Sequence, residues 1–235
     1  MNNTSRMQVP ERFLVVAAHP DDAEAGCGAT VARLVKAGAE GHFLILTNGD
    51  KGMNPGTSAF ELAAMRAQEA RNAAARLGVH HVTILSHEDG GLQPTPALRG
   101  EIVHHIRRIR PDAVFTHEAL PYSRFDGEGV NHSDHRACGQ ATMDAVYPYA
   151  RGAAMYPEFD LPPHTVRELY IFGSLNPNHY EDVRETAEDK LAALAEHRSQ
   201  FGDHMPDWFR NCLRIAGTEA GVEYAESFYR ISFKM

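Results

Sequence analysis

Phe13-Leu14-Val15-Val16-Ala17-Ala18 is an unbroken apolar run that stops abruptly at His19-Pro20-Asp21-Asp22. A strand apolar at every position has no face to give to water, so it belongs in a sheet covered on both sides. This requirement favours an α/β layer architecture over a half-solvated sheet or a helical bundle. The first two thirds of the chain fit it. Ala29 to Gly38 carries Val31, Leu34 and Val35 at helical spacing, with Gly38 as its stop. His42 to Thr47 reads as a second strand, and Ser58 to Leu77 as an Ala-rich helix closed by Gly78. Val82 to Leu85 reads as a third strand. Leu98 to Ile109 follows as an amphipathic helix stopped by Pro111, and Ala113 to Thr116 as a fourth strand. A polar loop, Pro121 to Asn131, leads to a helix from about His132. Further on, Tyr224 to Phe233 reads as a final strand.

Strands alternating with helices over short connections make parallel pairs joined by right-handed crossovers. The expected fold is therefore a Rossmann-like three-layer α/β/α sandwich with a mostly parallel sheet, one domain over residues 1–235. In the usual doubly wound order the first and fourth strands are neighbours where the winding reverses, and ligands bind at their carboxyl ends. The places to look are just after Ala18 and just after Thr116.

Composition narrows the class of partner. Lys and Arg number 23 against 31 Asp and Glu, a net charge of −8, and no long basic run occurs. Nucleic acid and anionic membrane are poor partners for such a chain. The run Phe13 to Ala18 is far shorter than the ~18 apolar residues of a spanning helix, and no secretory signal is visible. Cys27, Cys138 and Cys212 are widely spaced and form no CxxC pair. A disulfide framework is thus excluded, and a cytoplasmic location is expected. The fourteen histidines decide nothing until they are placed.

Two segments fall where the fold argument points. After the first strand come His19-Pro20-Asp21-Asp22-Ala23-Glu24, with adjacent carboxylates beside a histidine at a strand-to-helix turn. A divalent cation relieves that repulsion, and a tight turn lets the two carboxylates face different ways. The plainer reading is a helix cap formed by either aspartate. Beyond the fourth strand come Asn131-His132-Ser133-Asp134-His135. Here Asn131 suits an N-cap, His132 and His135 share a helix face, and Asp134 is placed to orient a neighbouring imidazole. Together the segments offer two histidines and a carboxylate for a metal, leaving a carboxylate and a histidine for acid–base work.

These residues resemble the LmbE-like (PIG-L) family of zinc-dependent N-deacetylases. The HPDD-x-E motif stands at His19 to Glu24 and the H-x-x-H motif at His132 to His135. Further matches are Thr47 to Gly52, Arg66 with Glu69, Leu77-Gly78-Val79, Asp89-Gly90, and Lys190, Ala193, His197, Ser199 and Gln200. The resemblance implies hydrolysis of an acetamide on an N-acetylglucosamine-like sugar or conjugate, releasing acetate and a free amine. It implies one zinc ion per chain, with iron(II) the other candidate, held by His19, Asp22 and His135. Asp21 would be the general base on the zinc-bound water. His132 would stabilise the oxyanion or protonate the leaving amine, Asp134 would orient it, and Arg66 would look towards the substrate. The partner implied is a small N-acetylated molecule, and the resemblance allows a homo-oligomer.

Two other readings compete. A family amidase could cleave a bulkier amide, as thiol-conjugate amidases do. A Rossmann-like module could bind a nucleotide or phosphosugar without hydrolysis. Gly26 and Gly28 suggest such a loop, but position 31 is Val31, and two aspartates would repel a pyrophosphate. The loop Pro121 to Asn131, with Tyr122, Arg124, Phe125 and Asp126, is expected to set specificity. His80-His81, His104-His105 and His179 have no ligand partners at useful spacing and read as surface or packing residues. Arg107, Arg108 and Arg110 read as a solvated row, and Cys27 as a small residue packing the first helix.

Overall fold

The computed structural model describes residues 6–52, 54–120, 123, 129–202 and 205–234. Its strands are β1 (Arg12–Ala17), β2 (Glu40–Thr47), β3 (His81–His87), β4 (Ala113–His117), β5 (Glu168–Phe172), β6 (His179–Asp182) and β7 (Ala225–Ser232). They form one sheet in the order β3-β2-β1-β4-β5-β7-β6. The β1–β2, β1–β4, β2–β3 and β4–β5 pairs are parallel, while β7 runs antiparallel to both β5 and β6. As expected, β1 and β4 are neighbours, with Phe13 opposite Ala113.

The helices are α1 (Asp22–Lys36), α2 (Ala59–Arg76), α3 (Pro96–Ile109), α4 (Ser133–Asp144), α5 (Ala187–Leu194) and α6 (Met205–Ala220). Alternate residues of β1 feed two cores. Phe13, Val15 and Ala17 pack with Val31 and Leu34 of α1, Ala70 and Ala73 of α2 and Ala193 of α5. Leu14 and Val16 pack with Ile102 and Ile106 of α3 and Ala137 and Ala141 of α4. The apolar run is buried on both faces, as a central parallel strand must be.

Local signals explain most boundaries. Ser58 and Glu61 form a reciprocal capping box at the start of α2, and Gly78 ends that helix at φ 80°. Thr95 caps α3 by accepting from the Leu98 amide. The first helix differs from expectation: it begins at Asp22, seven residues before Ala29, and bends at Cys27 (φ −149°, ψ 19°). The bend frees amides that a capping group must satisfy. Glu226 of β7 does so, accepting from Ala29 N at 3.2 Å and Thr30 N at 2.7 Å, with its charge neutralised by Lys190 Nζ at 2.6 Å. Cys27 itself is fully buried among apolar neighbours, the packing role expected of it.

Arg107 corrects the reading of a solvated arginine row. It is buried, and its guanidinium donates to the carbonyls of Tyr149, Ala150, Gly152, Met155 and Tyr156. Its five contacts gather the carbonyls of residues 149–156 around one buried charge.

Helix α4 is seated on β4 by a close approach at Gly139. A Cβ there would stand 2.4 Å from the His117 carbonyl oxygen. Gly139→Ala should therefore push α4 off the sheet and lower stability by about 1–3 kcal/mol. Urea unfolding checks this; an unchanged midpoint would mean that the contact relaxes freely.

Candidate metal centre at the β1–β4 switch point

The turn after β1 is the first structural element of the site. Asp21 sits at φ 144°, ψ −21°, a conformation that L side chains rarely adopt. It makes no side-chain cap, so the capping explanation of the aspartate pair does not hold for it. The twist sends the adjacent carboxylates apart. Asp21 accepts from Arg66 Nη2 at 3.1 Å. Asp22 faces the imidazoles instead: Oδ2 is 3.1 Å from His19 Nδ1, and Oδ1 is 3.2 Å from His135 Nε2.

His19 Nδ1 and His135 Nε2 lie 3.3 Å apart, each against a different oxygen of the Asp22 carboxylate. Tetrahedral zinc with bonds of about 2.0–2.2 Å sets its ligand atoms about 3.3–3.6 Å apart, so the two imidazole nitrogens stand at the spacing one ion requires, with the Asp22 carboxylate beside both. A ring nitrogen of His132 also lies within 4.8 Å of those of His19 and His135. His132 caps α4 itself, Nδ1 accepting from the Asp134 amide at 3.2 Å. Asn131, expected as the cap, instead donates from Nδ2 to the Glu118 carbonyl.

Asp134 does not orient His132 through its carboxylate. Its Oδ2 lies 3.3 Å from His19 Nε2, and the same carboxylate accepts from Gly90 N and Leu92 N. The first residues of α4 reach across to the β1 turn because β1 and β4 are adjacent. Asp89, after β3, joins from the other side, with Oδ1 3.2 Å from His19 Nε2. Carboxylates behind an imidazole fix its ring and raise its basicity, as metal sites require.

Arg66 also differs from expectation. It is buried and donates to Gly49 O at 2.8 Å, Pro20 O at 3.2 Å and Asp21. Its guanidinium is spent on the protein, holding the strained turn and Asp21 rather than facing open space. The loop Gly49 to Gly52 wraps it so closely that a Cβ at either glycine would stand 2.8 Å from Nη1.

His117 was missed by one residue, because its polar side chain ends an apolar run that reads as complete at Thr116. It is buried, and its ring stacks on His135 at 4.2 Å between centroids. Nε2 accepts from the Ala18 amide at 3.1 Å, which commits that lone pair. The switch-point rule was the signal that could have found it. Of the loop Pro121 to Asn131, Tyr122, Arg124, Phe125 and Asp126 lie outside the described residues.

The charges are strongly coupled. Burial opposes charge on His19, yet Asp22, Asp134 and Asp89 override it and push the imidazole up to about 12. Burial also opposes the Asp22 carboxylate, which His135, His117 and His19 nonetheless hold well below the usual range. Burial and the neighbouring Asp22 push Asp21 up to about 6, against the pull of Arg66. His132 is pushed down by burial and by His19 and His135. The cluster resembles a site prepared for a cation that replaces shared protons.

Comparison with known proteins identifies the family. Residues 14–146 match the family model PIG-L, GlcNAc-PI de-N-acetylase. The chain belongs to the PIG-L (LmbE-like) family. It is 33% identical over 229 residues to the diacetylchitobiose deacetylase of Thermococcus kodakarensis, covering 92% of this chain and 81% of that one. A 1D-myo-inositol 2-acetamido-2-deoxy-alpha-D-glucopyranoside deacetylase of Kineococcus radiotolerans is 31% identical over 173 residues, 60% of this chain and 46% of its own length. The N,N'-diacetylchitobiose deacetylase structure from Pyrococcus horikoshii superposes with a TM-score of 0.87 at 27% identity, covering 95% of this chain and 84% of that one.

Because Arg66 holds Asp21 and two carbonyls, Arg66→Ala should lower stability by about 3 kcal/mol as well as reduce activity. Denaturation and kinetics on the same preparation test this. A raised KM with unchanged stability would restore the substrate-facing reading.

Proposed function

We propose that this chain hydrolyses the acetamide of a small N-acetylglucosamine-like sugar or conjugate, giving acetate and a free amine. The observation that carries the reading is the convergence of His19 Nδ1, the Asp22 carboxylate and His135 Nε2, with contacts of 3.1–3.3 Å, and Asp21 turned away beside them. His19, Asp22 and His135 would hold one divalent ion. Two imidazoles and a carboxylate suit zinc, with iron(II) the second candidate. Such an ion, when bound, supplies Lewis acidity that polarises a carbonyl and acidifies water.

The chain's own groups then divide the proton work. Asp21, anchored by Arg66, takes a proton from the attacking water as its oxygen adds to the acetyl carbon. His132 has Nδ1 committed to the Asp134 amide, so its neutral ring carries the proton on Nε2. That N–H is available to the oxyanion, the first of the two roles open to His132. Asp21 returns its proton to the nitrogen as the C–N bond breaks, and acetate and amine leave. Asp134 and Asp89 hold His19 rather than touch the reacting atoms.

The names of the relatives support an acetylated amino sugar as the substrate class, and the PIG-L match supports N-deacetylation. No helix among the described residues is long and apolar enough to cross a membrane. Cys27 and Cys138, buried free thiols, suit a cytoplasmic setting.

Release of acetate and amine from a panel of N-acetylated sugars tests the activity. Turnover of bulkier acyl amides alone, with every acetamide refused, would overturn the substrate class. His135→Ala should lose bound metal. Asp21→Asn should retain the metal while kcat falls by about 10²–10⁴-fold; full activity in that variant would remove Asp21 as the base.

A further inference from the structure

A second group of ligand-type side chains lies at the opposite end of the sheet from the deacetylase site. Glu40 and His42 stand two residues apart on β2 and so project from one face. His81, the first residue of β3, is the register partner of His42. The two imidazoles stack, with centroids 4.5 Å apart and 14° between their planes. Glu40 Oε1 lies 2.9 Å from His42 Nε2 and 3.5 Å from His81 Nε2. All three ligand atoms fall within 4.8 Å of one another.

We propose that Glu40, His42 and His81 form a second divalent-cation site, separate from the catalytic centre. Two imidazole nitrogens and one carboxylate oxygen are a donor set for borderline ions such as Zn²⁺, Ni²⁺ or Cu²⁺. The carboxylate already converges on both Nε2 atoms, and parallel strand register holds the rings side by side. The His81 side chain is 59% exposed, which leaves its ring room to turn towards an ion shared with His42 and Glu40. Arg12, on the adjacent strand β1, is the register partner of Glu40. The Arg12 guanidinium is itself engaged by the Glu11 carboxylate.

From His42 to Thr47 the strand spans about 16 Å, so the cluster and the site at the strands' carboxyl ends cannot share an ion. β3 is the edge of the sheet. An ion bound here pins that edge strand to its neighbour.

Equilibrium dialysis of the intact chain against Zn²⁺, with metal counted per chain, tests the proposal. Wild type should take up two equivalents. His42→Ala/His81→Ala should take up one, with acetate release from the best acetamide substrate unchanged. His81→Ala alone, which alters an exposed side chain, should weaken the second equivalent at least tenfold without shifting the metal-free melting temperature. Equal uptake by wild type and the double variant, whatever the total, would overturn the proposal. The comparison of wild type with the double variant counts ions irrespective of what the other site catalyses.

Discussion

The arrangement of the site depends on the turn that carries Asp21 at φ 144° between the end of β1 and the start of α1. A non-glycine residue in that region costs on the order of 1–3 kcal/mol, and it persists only where its surroundings over-determine it. Arg66 does this from α2, donating to the Pro20 carbonyl before the turn and to the Asp21 carboxylate within it. The result is that neighbouring carboxylates serve separate tasks. Asp22 turns towards imidazoles and Asp21 towards a guanidinium. An ordinary turn would crowd both charges on one side.

A second constraint comes from the other half of the sheet. Helix α4 can bring His132, Asp134 and His135 to the β1 turn only because β4 lies beside β1 and Gly139 lets the helix backbone approach the His117 carbonyl. His117 and Thr47 fasten the same corner: the Ala18 amide goes to the His117 ring, and the Ala18 carbonyl accepts from both Thr47 N and Oγ1. Imidazoles and carboxylates are thus gathered in a poorly solvated pocket where each group's charge depends on the others. Metal binding to such a cluster is displacement of protons as much as coordination.

Much of this was legible from residue order. The strands β1, β2 and β4 are apolar runs because both faces are covered, and the helices between them end at Gly38, Gly78 and Pro111 for backbone reasons that a sequence displays. β6, His179–Asp182, was not legible. It is a short polar segment held by antiparallel pairing to β7, so neither alternation nor an apolar run marks it. Arg107 reads as solvated in sequence because helical spacing says which residues share a face but not which carbonyls the fold brings opposite it. His81 was set aside because its partners, Glu40 and His42, are some forty residues away in sequence and are supplied by strand register.

The sequence by itself determined the doubly wound architecture, the two chemical segments and their place after the first and fourth strands. These follow from local rules: burial on both faces, breaker residues and the topology of parallel crossovers. The tertiary structure alone decided which carboxylate serves which imidazole. It moved Asp134 from His132 to His19, turned Arg66 from the substrate to Asp21, and added His117 and Asp89. Those assignments depend on distances of about 3 Å between residues far apart in the chain, and hydrogen-bond strength falls steeply beyond that range. Spacing along a chain carries no information at that scale until the sheet has fixed its register.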